Sequence, residues 1–193
     1  MRALLRTVAL ACLVTGRLVA GAASPAGADA GERHAIDAAK SKAQFSIQHI
    51  FVERVTGTIP ILSGTVTLAP GSLVPTAVDA VLDPAHVDSG DRDRDASLRS
   101  GDYFDTQQFP TWTFTSSKVT STGPAAFGMD GTLTIHGVAQ PEHLDVTVTG
   151  DPKEPVYHAA GHIDRHAFGM KGARLDPVIG KTADVTLTIV LAR

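Results

Sequence analysis

The chain has 193 residues, 43% of them hydrophobic, and a formal net charge of −3. That length allows one domain with a sizeable core. The acidic balance excludes nucleic acid, whose binding neutralises phosphates with Lys and Arg, and adhesion to an anionic membrane face.

The first thirty residues read as a secretory signal peptide. Arg2 and Arg6 give a basic start, residues 7–13 an apolar run, and Ala28-Asp29-Ala30 an A-x-A cleavage site. Arg17 interrupts the apolar region, which falls short of the ~20 residues a spanning helix needs. Residues 31–193 are therefore expected as one exported domain, periplasmic or secreted, with no stable membrane insertion. The only cysteine, Cys12, leaves with the signal. The remainder then has no disulfide, thiolate metal site or cysteine nucleophile.

From Ser41 onward the pattern has period two. Phe45, Ile47 and His49 share one face and Gln44, Ser46 and Gln48 the other. Residues 56–68, rich in β-branched side chains, read as one long strand with Gly57 and Gly64 as bends or bulges. Pro70-Gly71 signals a turn, and residues 76–82 form another strand.

Residues 91–110 break the pattern. Asp91, Asp93 and Asp95 suit the positive end of a helix, which continues through Leu98 and Arg99. Ser100-Gly101 is expected to end it in a left-handed turn. Tyr103, Phe104, Phe109 and Pro110 follow. This is a short helix near residues 91–100 and an aromatic loop, inserted so as to close one end of an all-β domain.

Strands resume at residues 111–119 and 125–136. In the latter Phe127, Met129, Leu133 and Ile135 share a parity, with Gly131 among them. Further runs cover residues 144–149, 157–168 and 183–191. About eight antiparallel strands suit a closed barrel around one small-ligand cavity. A sandwich carries the same alternation, so periodicity leaves the two open.

Two patterns suggest a metal. Asp91, Asp93 and Asp95 could open a calcium loop, but its sixth and twelfth positions hold Ala96 and Asp102 in place of Gly and Glu. His158, His162 and His166 recur every four residues. On a strand each lies ~13 Å from the next at ~3.3 Å per residue, too far for one metal, so a solvated strand face is expected. No G-x-S-x-G elbow, H-E-x-x-H or phosphate loop is present. The expectation is no metal, no catalytic residue and no required cofactor.

The order of motifs resembles the YceI-like family of secreted and periplasmic polyisoprenoid-binding proteins. The pattern S-x-x-x-F-S-I-x-H is met by Ser41, Phe45, Ser46, Ile47 and His49, and Gly57 follows. The pattern R-D-x-x-L-R-S-x-D-[YF]-F-D is met by Arg94, Asp95, Leu98, Arg99, Ser100, Asp102, Tyr103, Phe104 and Asp105. Phe109, Pro110, Phe114 and Ser116 match F-P-x-x-x-F-x-S. Gly131, Leu133, Thr134, Ile135, Gly137 and Val138 match G-x-L-T-I-x-G-V, and Arg165, Phe168 and Gly169 match R-x-x-F-G. Three departures stand out: Ser97 for a common histidine, His34 for an aromatic, and Gln140-Pro141-Glu142 for a basic-Pro-Val run. The last two are expected outside the cavity wall.

The resemblance implies an all-β fold, an extended lipocalin-like eight-stranded antiparallel barrel, with an apolar tunnel for a long-chain lipid such as a polyprenyl chain, an isoprenoid quinone or a fatty amide. Burying each CH₂ of such a chain contributes roughly 0.8 kcal/mol. The tunnel and its mouth are expected at Phe45, Ile47, His49, Phe104, Phe114, Phe127, Met129, Leu133, Phe168 and Met170. Arg94, Asp95, Leu98, Asp102 and Arg165 are expected to hold the scaffold. The expected role is an exported, non-enzymatic carrier or sequestering protein, with a homodimer left open. Its rivals are an enzyme using the Arg94, Asp95 and Arg99 cluster on such a lipid, and a ligand-free structural or stress protein with a filled barrel.

Overall fold

The computed structural model describes residues 31–49, 53–171 and 173–193. The expected signal peptide, residues 1–30, lies outside the described residues. The alternating runs form β1 (Glu32–Ala35), β2 (Lys42–His49), β3 (Glu53–Ile59), β4 (Ile61–Leu68), β5 (Pro75–Leu82), β6 (Trp112–Gly123), β7 (Ala126–Ile135), β8 (Val138–Asp151), β9 (Glu154–Asp164) and β10 (Ile179–Val190). Helix α1 (Arg92–Leu98) lies between β5 and β6. The strands make one antiparallel sheet in the order β1-β4-β5-β6-β7-β8-β9-β10-β2-β3.

There are ten strands, not the expected eight. The long run over residues 56–68 is divided at Pro60, which has no N–H to give a ladder. The short β1 adds the other strand. Because β3 and β4 are two parts of one bent segment, the sheet curls back on itself. β2 pairs with β3 and β1 with β4 along one side of it. β5 pairs with β4 along the other, and Asp88, after β5, exchanges backbone hydrogen bonds of 2.8 and 3.0 Å with Thr58. The result is a barrel-like shell.

The glycines in the bent segment are not its bulges. The register shifts fall between Ile61 and Ser63 and between Thr67 and Leu68. Gly57 instead leaves room for the Phe45 ring, which a Cβ there would meet at 2.5 Å. Gly131 does the same for Phe114. In both places a large aromatic lies flat over a neighbouring strand because the residue beneath has no side chain.

Helix α1 starts as expected. The Asp91 side chain caps it, accepting from the N–H groups of Asp93 and Arg94 at 3.0 Å each. It does not end in a left-handed Gly101. Arg99 closes the helix in right-handed geometry, and Asp105 takes the positive φ, at 43°. The turns between are held by Phe104 N–H to Leu98 O at 3.0 Å and Asp105 N–H to Ser100 O at 2.9 Å. At the far side of the aromatic loop, Phe109 packs edge-on against His136, ring centroids 4.8 Å apart. His136 and Gly137 both have positive φ, as a two-residue hairpin turn between β7 and β8 requires.

The connections sort into two ends. At one, residues 69–74, 124–125 and 152–153 join strands by short turns. At the other, residues 83–111 and 165–178 make long excursions that carry α1 and two 3₁₀ turns, Arg165–Phe168 and Ala173–Val178.

Candidate functional site

The inward parity of the strands encloses a cavity of about 440 Å³, within the ~300–1,000 Å³ of sites that hold small organic ligands. β2 contributes Phe45, Ile47 and His49, and β7 contributes Phe127, Met129, Leu133 and Ile135. From β6 come Trp112 and Phe114. Tyr103 and Phe104 of the aromatic loop, Leu98 of α1 and Met170 close over the wide end. Phe104 stands edge-on to Trp112, 4.7 Å between centroids. The wall is overwhelmingly carbon, and only a few polar groups reach it.

Nine of the ten residues expected to form the tunnel and mouth line this cavity; Phe168 does not. The expected strand over residues 157–168 stops at Asp164, where the Asp164 carboxylate caps a 3₁₀ turn by accepting from His166 N–H at 3.0 Å. Phe168 therefore leaves the inward parity and is fully buried in the core instead. Trp112 belongs to the wall, where the sequence also puts it, and so do Tyr103, Ile135 and Tyr157, which were not among the expected tunnel residues. Trp112 Nε1 and the Tyr157 hydroxyl are buried with no hydrogen-bond partner among the described residues. Burial pushes the Tyr157 hydroxyl pKa up.

The scaffold residues divide. Arg165 is buried, and its guanidinium donates to the carbonyls of Met170 at 2.7 Å, Gly180 at 2.8 Å, Ile179 at 3.0 Å and Asp176 at 3.4 Å. It also pairs with Asp176 Oδ1 at 2.6 Å. His166 bonds the same carboxylate oxygen, and together they hold the Asp176 pKa below its ordinary range, His166 first and Arg165 second. Arg94 and Asp95 do not pair with each other. Both reach back to Ser89: Arg94 Nε donates to its hydroxyl at 2.9 Å and Nη2 to its carbonyl at 2.8 Å. The Asp95 carboxylate accepts from Ser89 N–H at 2.9 Å and Oγ–H at 2.6 Å. Asp102 is exposed and joins no part of this clasp.

The spaced histidines do not converge. His158 bonds Thr149 at 3.0 Å and His162 bonds Asp184 at 2.8 Å, both on the solvent face of β9. His166 lies past the strand's end against Asp176. Among the described residues no group of three His, Cys, Asp or Glu is placed to hold a metal ion.

One departure from the family pattern proves to face inward. On β8 the even positions are the more enclosed, and Glu142 stands in line with Leu144 and Val146 in the cavity wall. It was expected outside that wall. Its placement follows from the uninterrupted pairing of β8 with β7, which runs from Val138 to Thr147. Loss of water raises the Glu142 pKa, and the charge of Asp164 adds to the effect.

A YceI-like domain model matches residues 34–191. The chain belongs to the YceI-like family. A UPF0312 protein of Vibrio campbellii is 31% identical over 170 residues, covering 86% of this chain and 89% of that one. Protein YceI of Escherichia coli O157:H7 is 30% identical over 133 residues, covering 66% and 69%. Among solved structures, Burkholderia cenocepacia BcnA superposes with a TM-score of 0.75 at 23% identity, covering 81% of this chain and 99% of that one. A polyisoprenoid binding domain from Saccharophagus degradans gives 0.65 at 20% identity, covering 82% and 97%. At those identities the structural neighbours establish the barrel-like fold of this YceI-like chain. Among the described residues no helix is long and apolar enough to cross a membrane.

Proposed function

We propose that this YceI-like protein is an exported carrier or sequestering protein that holds an isoprenoid or other long-chain amphiphile in its barrel tunnel. The observation that carries the reading is the cavity itself, about 440 Å³ and walled by apolar side chains from the inner face of the sheet. An apolar void of this size in a packed domain forgoes dispersion contacts, a loss that an apolar chain inside it would recover. A polyprenyl lipid or an isoprenoid quinone supplies such a chain, and the polyisoprenoid binding of the Saccharophagus degradans domain supports that choice. Export rests on the basic start, apolar run and A-x-A site of residues 1–30. The periplasm or the extracellular medium is then the place of action.

The role is binding, not turnover. Of the groups that a lipid-acting enzyme would draw on, Arg94, Asp95 and Arg99, the first two are committed to Ser89. Native mass spectrometry of protein purified without detergent tests the proposal, with organic extraction and lipid identification on the same sample. The expected result is a stoichiometric bound mass that extraction releases as a prenyl or acyl lipid. A ligand-free mass, unchanged after incubation with quinones and polyprenols, would overturn it in favour of a filled structural barrel.

A further inference from the structure

Among the described residues Glu142 is the only carboxylate in the cavity wall. It sits four residues into β8 from the His136-Gly137 turn, at the wide end, with Leu144 and Val146 deeper along the same face. Its register partner on β7 is Gly131, which offers no side chain, and the Phe114 ring covers that glycine. Among the described residues the Glu142 carboxylate has no hydrogen-bond or ion-pair partner. The one charge that acts on it is the like charge of Asp164.

The two arginines of the wall do not answer it. Arg165 spends its donors on four carbonyls and Asp176, and Arg94 directs Nε and Nη2 to Ser89. A carboxylate partly withdrawn from water and left without a donor is costly, and a ligand group that supplies the donor removes that cost. The apolar wall runs from this point toward the short-turn end, past Val66, Pro75 and Ile189. A chain lying along it places its headgroup beside Glu142.

We propose that Glu142 selects the headgroup. The cavity takes long-chain amphiphiles whose head donates hydrogen bonds, such as an amine, amide or alcohol, and turns away those ending in a carboxylate or phosphate. This deepens, and rests on, the reading of the cavity as a lipid site.

The test is a series of probes with one common alkyl tail and five heads: amine, primary amide, alcohol, carboxylate and phosphate. Each is titrated below its aggregation limit at neutral pH, following the fluorescence of Trp112, the single tryptophan of the chain and a residue of the cavity wall. Wild type is expected to bind the donor heads at least about tenfold more tightly than the anionic ones, since like charges brought together are strongly disfavoured. Glu142→Gln, close in shape, keeps the amide and alcohol and admits the carboxylate. Glu142→Val levels the whole series, and unchanged thermal midpoints confirm that both variants fold. Tight binding of all five probes by wild type, or the same order in Glu142→Val, overturns the headgroup inference and leaves the lipid site standing. Failure of every probe to bind overturns both.

Discussion

At one end of the shell the strands are joined by short turns and fastened mostly by backbone. Ser41 Oγ accepts from Val190 N–H at 3.0 Å, Asp37 N–H reaches Val190 O at 2.8 Å, and Ala192 N–H reaches Ala35 O at 2.7 Å. At the other end the chain spends residues 83–111 and 165–178 on excursions that two arginines hold down. Arg165 ties Met170 of one excursion to Ile179 and Gly180 at the start of β10, and Arg94 clasps the start of the other through Ser89. The short-turn end is thus secured by backbone groups and one serine hydroxyl, and the wide end by two long charged side chains. Loops that bind ligands are drawn from the less stable parts of a fold. The wide end, where Tyr103, Phe104 and Met170 meet the cavity, is the place where the shell can yield without unravelling.

The harshest way to break the contrast is Arg165→Ala. It takes the charged donor from four carbonyls in one step, and a hydrogen bond to a charged group contributes about 1.5–3 kcal/mol. Urea denaturation should show that loss, and Arg165→Lys should not restore it, because an ammonium cannot reach acceptors spread around a planar fork. A loss below about 1 kcal/mol would mean that the excursion is held by packing alone.

Arg94→Ala acts on the other excursion. Two charge-assisted hydrogen bonds to Ser89 disappear, each worth about 1.5–3 kcal/mol before relaxation. The effect should be local: amide exchange over residues 88–106 accelerates while the turns at residues 69–74 and 152–153 keep their rates. Equal acceleration at both ends would dissolve the distinction between them. The converse probe is Ser41→Ala, at the short-turn end. It removes the hydrogen bond to Val190 N–H for about 1 kcal/mol, and only the exchange of β10's last residues should change.

Much of this architecture is legible in the amino-acid order because period two records which face is dry. Phe45, Phe114, Phe127, Met129 and Leu133 all lie inward as their parity requires. Asp91 caps α1 as its type predicts. What alternation hides is where a strand stops. Asp164 ends β9 by capping a 3₁₀ turn, so Phe168 moves from the tunnel to the core, and Pro60 divides a run that reads as continuous. Gly57 looks like a bulge in one dimension; the ring lying over it comes from another strand, as does the ring over Gly131. Arg165 is legible as a motif residue, but its partners are carbonyls, which carry no residue signature. Glu142 was misplaced for another reason: residues 138–143 alternate too weakly in hydrophobicity to show that they continue the strand.

Glu142 also gives the smallest and most selective effect, one of pH. Its carboxyl holds a proton to higher pH in the folded chain than in the unfolded one, through lost water first and the Asp164 charge second. Between the ordinary glutamate pKa and that raised value the folded state binds more protons, so stability falls as pH rises through the window and stays lower above it. Asp176 works the other way. With its pKa held down by His166 and Arg165, it contributes stability above the ordinary aspartate range that is lost as pH falls through its lowered value. Asp164, which faces Glu142, is likewise held down, by Lys181 first. The two slopes therefore occupy opposite sides of the ordinary carboxylate range. Urea midpoints measured across pH for wild type and Glu142→Gln separate them. The variant should lose the decline on the neutral side and keep the decline on the acid side. If it keeps both, Glu142 is as well hydrated in the folded chain as in the unfolded one, and the wide end of the cavity is wetter than its carbon wall implies.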